Sequence, residues 1–366
     1  MLRAVTQQGS CPSVSWAGGA AQAMAVRALP ANVPARGQGL FDDKDAIFDV
    51  LTCEAIRPAG AASARVAGQE LAAPKTDIKR IVVIADTGCR LKAAENDFQP
   101  CNDAVAWPFA QVAQSAALTK PDLVIHISDM HYRESPCPAG NAGCAGSPWG
   151  YGFDAWQADF FVPAKPLLAA APWVFVRGNH EICSRAGQGW FRFTDAQPWQ
   201  TGRSCDNPAN DDDADFSNPY AVQIDPRTQF IVFDSARASG KPYSYSDPAF
   251  AKYKSNMQAA DVLAAQKPHN FFMSHHPLLA VASGKKAKTQ CLAAPKACNR
   301  CSAPRVRSAC LPRRLMWPCT ATFMCLKRWL SSQPTRRRWC WATQARPTMA
   351  TCPPHCRQTL RSTPAR

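Results

Sequence analysis

An α/β fold with a polar centre at its strand ends is predicted by three features of the sequence. Five short apolar runs, IVVIAD, LVIHISD, WVFVRGNH, FIVFD and FFMSH, each stop on a donor side chain: Asp86, Asp129, Asn179 with His180, Asp234 and His275. Each run is rich in Val, Ile and Phe, too short for a helix and flanked by turn formers, the pattern of a strand buried on both faces. In open α/β folds ligands collect in the crevice at the carboxyl ends of such strands, so donors from separate strands reach one point there.

Residues 1–75 are rich in Ala, Gly and Pro, with one short apolar stretch from Ala46 to Leu51. They read as a lead-in packing on the core. The opening MLRAVTQQGS has no apolar segment of the kind a signal peptide carries. No run of 18 or more apolar residues is present, so no membrane span is expected. Residues 76–284 read as the core, with ample length for a sizeable apolar interior.

Residues 285–366 differ in kind. The formal net charge of +15 would by itself point to an anionic partner, but this segment holds 18 Lys and Arg and no Asp or Glu. The remainder carries 24 basic and 27 acidic side chains and is close to neutral. The basicity therefore belongs to an aberrant tail, which also holds 9 of the 17 Cys with clustered Arg, Pro and Trp, and is expected to be disordered. Its CNRC, Cys298–Cys301, has zinc-ribbon spacing but no second CxxC. Arg336–Arg338 beside Trp339 and Trp341 is the basic-aromatic pattern of a nucleic-acid patch; neither outweighs the coding argument below, and no nucleic-acid partner is expected.

Ahead of the tail stand eight Cys: 11, 53, 89, 101, 137, 144, 183 and 205. Pairs such as Cys89 with Cys101, or Cys137 with Cys144, would close short loops beside the strand ends. Disulfides of that kind persist in a periplasm or outside the cell, the alternative being reduced thiols in a cytoplasmic protein. A periplasmic or secreted native product would then carry an export signal upstream of Met1.

Taken singly the donors say little, since an Asp at a strand end is more often a helix cap and an isolated His more often structural. Taken together they form a series: Asp86 in ADTGC, where Gly88 permits a tight turn; Asp129 in SDMHY, with Tyr132 three residues on; Asn179 and His180 in RGNHE; His275 in SHHP. Asp234 reads as a structural acid, and DDDAD at Asp211–Asp215 as a solvated loop.

The series resembles the calcineurin-like metallophosphoesterase superfamily, whose blocks run D-x-[HG], GD, GNH[ED], H-x-P and GHxH. The first block here lacks its usual His, and Tyr132 follows the second Asp, which resembles the purple acid phosphatase branch. The resemblance implies a four-layer α/β/β/α sandwich, incomplete at its C-terminus, with two mixed sheets between helices. It implies two divalent or trivalent metal ions, one bound by Asp86, Asp129 and Tyr132, the other by Asp129, Asn179 and His275. A phenolate favours iron at the first, with Zn, Mn or Fe at the second. His180 is the implied catalytic group, stabilising transition-state charge or protonating the leaving group of a phosphate ester. His131 and His276 are adjacent candidates for substrate contact. Monoester, diester and pyrophosphate substrates share this arrangement, and oligomeric state has no sequence signal.

No GHxH occurs, and the only His after His276 is His355. Each ion should lack one imidazole, which would impair the enzyme or leave a non-catalytic remnant. CTATFMC, Cys319–Cys325, explains the loss. Its codons, read one base earlier, allow His-Gly-His-Val-His-Val. AKTQC at Ala287–Cys291 similarly allows Gly-Lys-Asp-Pro, and WATQA at Trp341–Ala345 allows Gly-Asn-Ser-Gly. The tail is therefore expected to be a frameshifted reading beginning near Lys285 or Ala287.

Overall fold

A computed structural model describes residues 1–36, 44–72, 74–238, 243–277 and the strand at 316–320. The rest of the tail, with CNRC, Arg336–Arg338 and His355, lies outside the described residues.

Every apolar run folds as a strand. β1 (Ile81–Ile84), β2 (Leu123–Ile127) and β3 (Trp173–Val176) form a parallel sheet in that order. β4 (Tyr220–Gln223), β5 (Thr228–Val232), β6 (His269–Ser274) and β7 (Met316–Thr320) form the second sheet. In it β4 runs antiparallel to β5 while β5, β6 and β7 are parallel, so this sheet is mixed, whereas the first is parallel throughout its described strands.

Alternation along the strands builds the layers. Leu123, Ile125 and Ile127 of β2 pack with Val174 and Val176 of β3 against Phe230, Val232 and Met273 of the second sheet. Val124, one residue out of phase, faces Phe109, Ala113, Ala164 and Leu167 on helices α1 (Phe109–Leu118) and α2 (Val162–Ala170). Ile231 and Phe272 leave the second sheet on its other side to meet Tyr253, Met257 and Ala260 of α3 (Pro248–Ala264). Period-two side-chain direction thus yields helix, sheet, sheet, helix. Helix α3 starts where chemistry favours it: Asp247 accepts the N–H of Ala249 at 2.9 Å, and Pro248 occupies the first turn.

Residues 1–72 add two small antiparallel sheets, Leu2–Thr6 with Leu51–Ala55 and Ala25–Ala28, and Gln22–Ala23 with Ser13–Trp16, Ser63–Val66 and Gln69–Ala72. A hairpin of Ala31–Val33 and Ala46–Phe48 carries Val33, Ala46 and Phe48 into the same core as α1 and α2. Buried Arg27 secures this unit, donating to Phe191 O at 2.7 Å and pairing with Glu54 at 2.7 Å.

Four disulfides form, Cys11–Cys53, Cys89–Cys101, Cys137–Cys144 and Cys183–Cys205. They use all eight Cys ahead of the tail, and each restricts the unfolded chain by closing a loop.

DDDAD does not form a solvated loop. Asp211–Ala214 is a short helix, Asp211 pairs with Arg36 at 3.1 Å, and Asp215 is buried against Arg177. The cause is Arg177, a buried guanidinium that must be matched. Its Nη2 lies 3.1 Å from Asp215 Oδ1 and its Nη1 3.3 Å from Asp234 Oδ2, while Nε and Nη1 donate to Glu181 O at 2.8 Å and Ala214 O at 2.6 Å. Asp234 also accepts the backbone N–H of Ser217 at 3.0 Å, a structural acid joining the two sheets.

Arg177→Met would strand two buried carboxylates and is expected to lower the unfolding free energy by about 3–5 kcal/mol. Urea denaturation measures it, and a loss of under about 1 kcal/mol would show that the guanidinium does not hold the sheets together.

Candidate metal centre

The carboxyl ends of β1, β2, β3 and β6 meet at one cluster, where ligand atoms of Asp86, Asp129 and His275 all lie within 4.8 Å of one another. Two backbone positions that aim this cluster are strained. Asp86 has φ +51° and Ser128 φ +119°, values that side-chain-bearing residues rarely adopt and that cost on the order of 1–3 kcal/mol each. Ser128 stands where the resemblance expects Gly, and its positive φ is the physical reason for that preference. Its hydroxyl donates to Asp86 Oδ1 at 2.5 Å, which offsets part of the strain.

Asp129 is buried, and each of its oxygens is engaged. Oδ1 accepts the backbone N–H of His180 at 2.8 Å, and Oδ2 lies 3.0 Å from the Tyr132 hydroxyl and 3.8 Å from Nε2 of both His180 and His275. Burial alone would raise this carboxyl, but His275, His180 and Arg185 outweigh it and bring it down to about 2. Gly178 makes the contact possible: a Cβ there would collide with Oδ1 and the backbone of Asp129.

Gly88 differs from expectation. The left-handed turn falls on Asp86 rather than on Gly88, and what demands glycine at 88 is close packing. A Cβ there would lie 2.7 Å from Met130 O and 2.8 Å from Asp159 Oδ2.

Tyr132 reaches back over both acids, its hydroxyl 2.9 Å from Asp86 Oδ1 and 3.0 Å from Asp129 Oδ2. One phenolic proton can serve only one of them. Burial, then the charges of Asp129 and Asp86, raises the phenol well above its ordinary range. Asn179 Oδ1 lies 2.7 Å from His275 Nε2, completing a ring of oxygen and nitrogen donors with fewer protons than lone pairs. Hard carboxylate, phenol and amide oxygens with one imidazole suit a cation, which would offset the repulsion that a phenolate would meet here. The cluster of Cys183, Cys205 and Asp215 is different, because its two sulfurs are joined in a disulfide.

His180 lies against this ring. It is 6% exposed, holds its ring 4.1 Å from that of Tyr132 at a tilt of 41°, and is pushed down to about 4 by burial. His276 is tied back to the neighbouring loop, its Nδ1 2.7 Å from Ser235 O and its N–H donating to Ser235 Oγ at 2.8 Å. His131 is not brought to the cluster. It is fully buried between Tyr151 and Trp156, with ring centroids 5.5 and 5.8 Å away, and burial lowers it to about 3.

Two buried acids that brace the centre were not among the residues expected from the sequence. Glu181 is fully buried and accepts the N–H groups of Met130, His131 and Gly178 at 2.9, 3.1 and 3.2 Å, clamping the turn after β2 to the turn after β3. Asp159 likewise accepts from Cys89 N at 3.0 Å, Tyr132 N at 2.8 Å and Arg133 Nε at 2.5 Å. Glu181 could have been found from the acidic fourth position of the GNH[ED] block; Asp159 sits in helical sequence with no motif.

The family profile described as Calcineurin-like phosphoesterase matches residues 79–305. The chain is similar to a solved structure titled "Structure of PhoD", with 13% identity and a TM-score of 0.39 over 81% of this chain and 67% of that one. No curated protein matches the chain.

Ser128→Gly relieves the backbone and loses one hydrogen bond, whereas Ser128→Ala loses the bond and keeps the strain. The Ala variant should be the less stable by about 1–2 kcal/mol in thermal unfolding, and the reverse order would remove strain from the account of this turn. For His131 the folded value lies below the unfolded one, so the unfolded chain binds the extra proton as pH falls. Stability should decline by about 1.4 kcal/mol per pH unit on this account between about pH 6.5 and pH 3. His131→Phe should flatten that limb, and an unchanged pH profile would show that His131 is protonated in the fold.

Proposed function

The chain belongs to the calcineurin-like phosphoesterase family, and from that premise we propose that it hydrolyses phosphate esters at a centre of two metal ions. Metal-dependent phosphoester hydrolysis comes with the family; the two-ion centre and the residue roles are the proposal. The observation that carries it is the convergence of Asp86, Asp129 and His275 within 4.8 Å, with Tyr132 and Asn179 bonded into the same ring.

In this reading Asp86, Asp129 and Tyr132 hold one ion, and Asp129, Asn179 and His275 the other. Two such ions supply charge neutralisation for the phosphoryl group and activation of water. Tyr132 favours iron beside it, as in purple acid phosphatases. Asp129 is kept ionised and fixed by the His180 N–H, so it can face both ions without turning. His180, held beside the ring, stabilises charge on the phosphoryl oxygens or delivers a proton to the leaving oxygen. His276 stands beside His275 at a ring separation of 4.4 Å and contacts the substrate. Four disulfides support a periplasmic or secreted native protein.

We also propose that the tail is an out-of-frame reading that costs the centre its last imidazoles. β7 supports this independently of the motif. It pairs in parallel with β6, Thr320 level with Ser274, so the chain leaves β7 beside the point where His275 begins the centre. Read one base earlier, the codons of Met316–Cys319 contain GTG, GCC and NTG, which encode Val, Ala and Leu, Met or Val whatever the wobble bases. A buried-strand sequence therefore overlies β7, and the triplets that follow allow His-Gly-His-Val-His. The missing motif specifically favours a second reading, in which this chain folds, binds metal weakly and turns nothing over.

Metal analysis by mass spectrometry with hydrolysis of an aryl phosphate separates the readings. A chain with its frame restored from codon 286 should hold two ions and lose about 10²-fold or more of its turnover in His180→Ala. The present chain should hold fewer ions and turn over more slowly. Equal metal content and activity in both would sink the frame argument, and no metal in either would sink the phosphoesterase centre.

A further inference from the structure

Arg90 stands at the rim of the centre, its guanidinium carbon 5.7 Å over the ring of Tyr132, the same ring that lies 4.1 Å from His180. It is the first residue of a hairpin, Leu91–Lys92 against Asp97–Phe98, that the Cys89–Cys101 disulfide closes. Leu91 is fully buried, its N–H donates to Tyr132 O at 3.0 Å, and its carbonyl accepts the N–H of Glu134 at 3.0 Å. The hairpin is thus bonded along the segment that carries Tyr132, and Arg90 is placed by a rigid base. Burial lowers the His180 imidazole, and Lys92 and Arg90 add to that lowering, so both cations lie within electrostatic reach of the centre.

The two cations differ in how fully they are committed. The Lys92 side chain is 13% exposed and sits between Glu95 Oε1 at 2.8 Å and the buried Glu134 Oε2 at 3.9 Å. Arg90 is 28% exposed; its Nη2 meets Glu95, its Nε stands 3.2 Å from Asp97 Oδ2, and its Nη1 has no partner among the described residues. Both of its carboxylates are half exposed, and ion pairs to such acids are weak. If Arg90 leaves Glu95, that acid keeps Lys92. A guanidinium with a donor to spare takes an incoming anion through two parallel N–H bonds, a stronger pairing than one. Its place above the Tyr132 ring, rather than beside the hydroxyl that meets Asp86 and Asp129, sets it back from the ring of donors by the depth of an aromatic ring. We propose that Arg90 selects the substrate: it binds a second anionic group, carried by the alcohol portion of the phosphate ester, while the scissile phosphoryl group lies at the ring of donors. The inference rests on the phosphoesterase reading of that ring and narrows its substrates to esters with two separate negative groups.

Binding of two matched phosphonates, which cannot be hydrolysed, tests this without turnover. Propylphosphonate carries one anionic group and 3-phosphonopropanoate adds a carboxylate; both are titrated calorimetrically into the full chain with added zinc. The parent should bind 3-phosphonopropanoate about 10-fold more tightly than propylphosphonate. Arg90→Gln should remove that preference and leave propylphosphonate binding unchanged. Glu95→Gln, which frees the guanidinium from a competing acid, should widen the preference, a direction that mere loss of structure would not give. Equal affinities in the parent, or an Arg90→Gln variant that weakens both ligands alike, overturns the proposal. A parent that binds neither ligand overturns it together with the phosphoryl-binding reading. An Arg90-dependent preference in a frame-restored chain that turns nothing over upholds the role of Arg90 and overturns the hydrolytic reading alone.

Discussion

Asp129 is a carboxylate buried at the end of the middle strand of a parallel sheet, and the centre is arranged around that expense. A bare carboxylate in such a place would take up a proton. It is prevented from doing so by the His180 N–H on one oxygen and by two imidazoles within 3.8 Å of the other. The neighbouring constraints follow from this one. Gly178 has no side chain because Asp129 occupies that space, Glu181 fixes the turn that supplies the N–H, and Ser128 takes a strained φ so that Asp129 leaves the strand in the required direction.

The fold was largely legible, for a local reason. The five apolar runs are strands buried on both sides, and such strands advertise themselves by composition without help from distant residues. Their order along the chain and the polar residues at four of their five ends pointed to the cluster, whereas Asp234 at the fifth went to Arg177. The strands within residues 1–72 are two to five residues long, rich in Ala, and have too little alternation to be read.

At the centre the legible residues are those placed by strand ends, and the illegible ones are those placed by tertiary contact. His131 looked like a neighbour of the site, but in the loop after β2 Tyr132 turns onto the acids while His131 goes into the aromatic core. Glu134 and Arg185 touch across 51 positions of sequence, and no spacing rule reaches that far. DDDAD has the composition of a wet loop, yet Arg177 draws its last acid indoors. The same limit explains Gly88, whose glycine requirement comes from Asp159 and Met130 rather than from its own turn.

The cross-links are unevenly shared. Among the described residues all four lie ahead of residue 206, in the portion that carries Asp86, Asp129, Asn179 and His180. The second sheet, which delivers His275, is joined to that portion by apolar packing, by the Arg177 ion pairs and by hydrogen bonds such as Tyr220 Oη to Phe175 O and His275 with Asn179, and by no disulfide among the described residues. The two halves of the centre therefore differ in how they are anchored: three of its four strand ends belong to a stapled body, and the fourth to a sheet held to it by non-covalent contacts. Loosening would open the centre along that seam, withdrawing the imidazole first and leaving the carboxylates together.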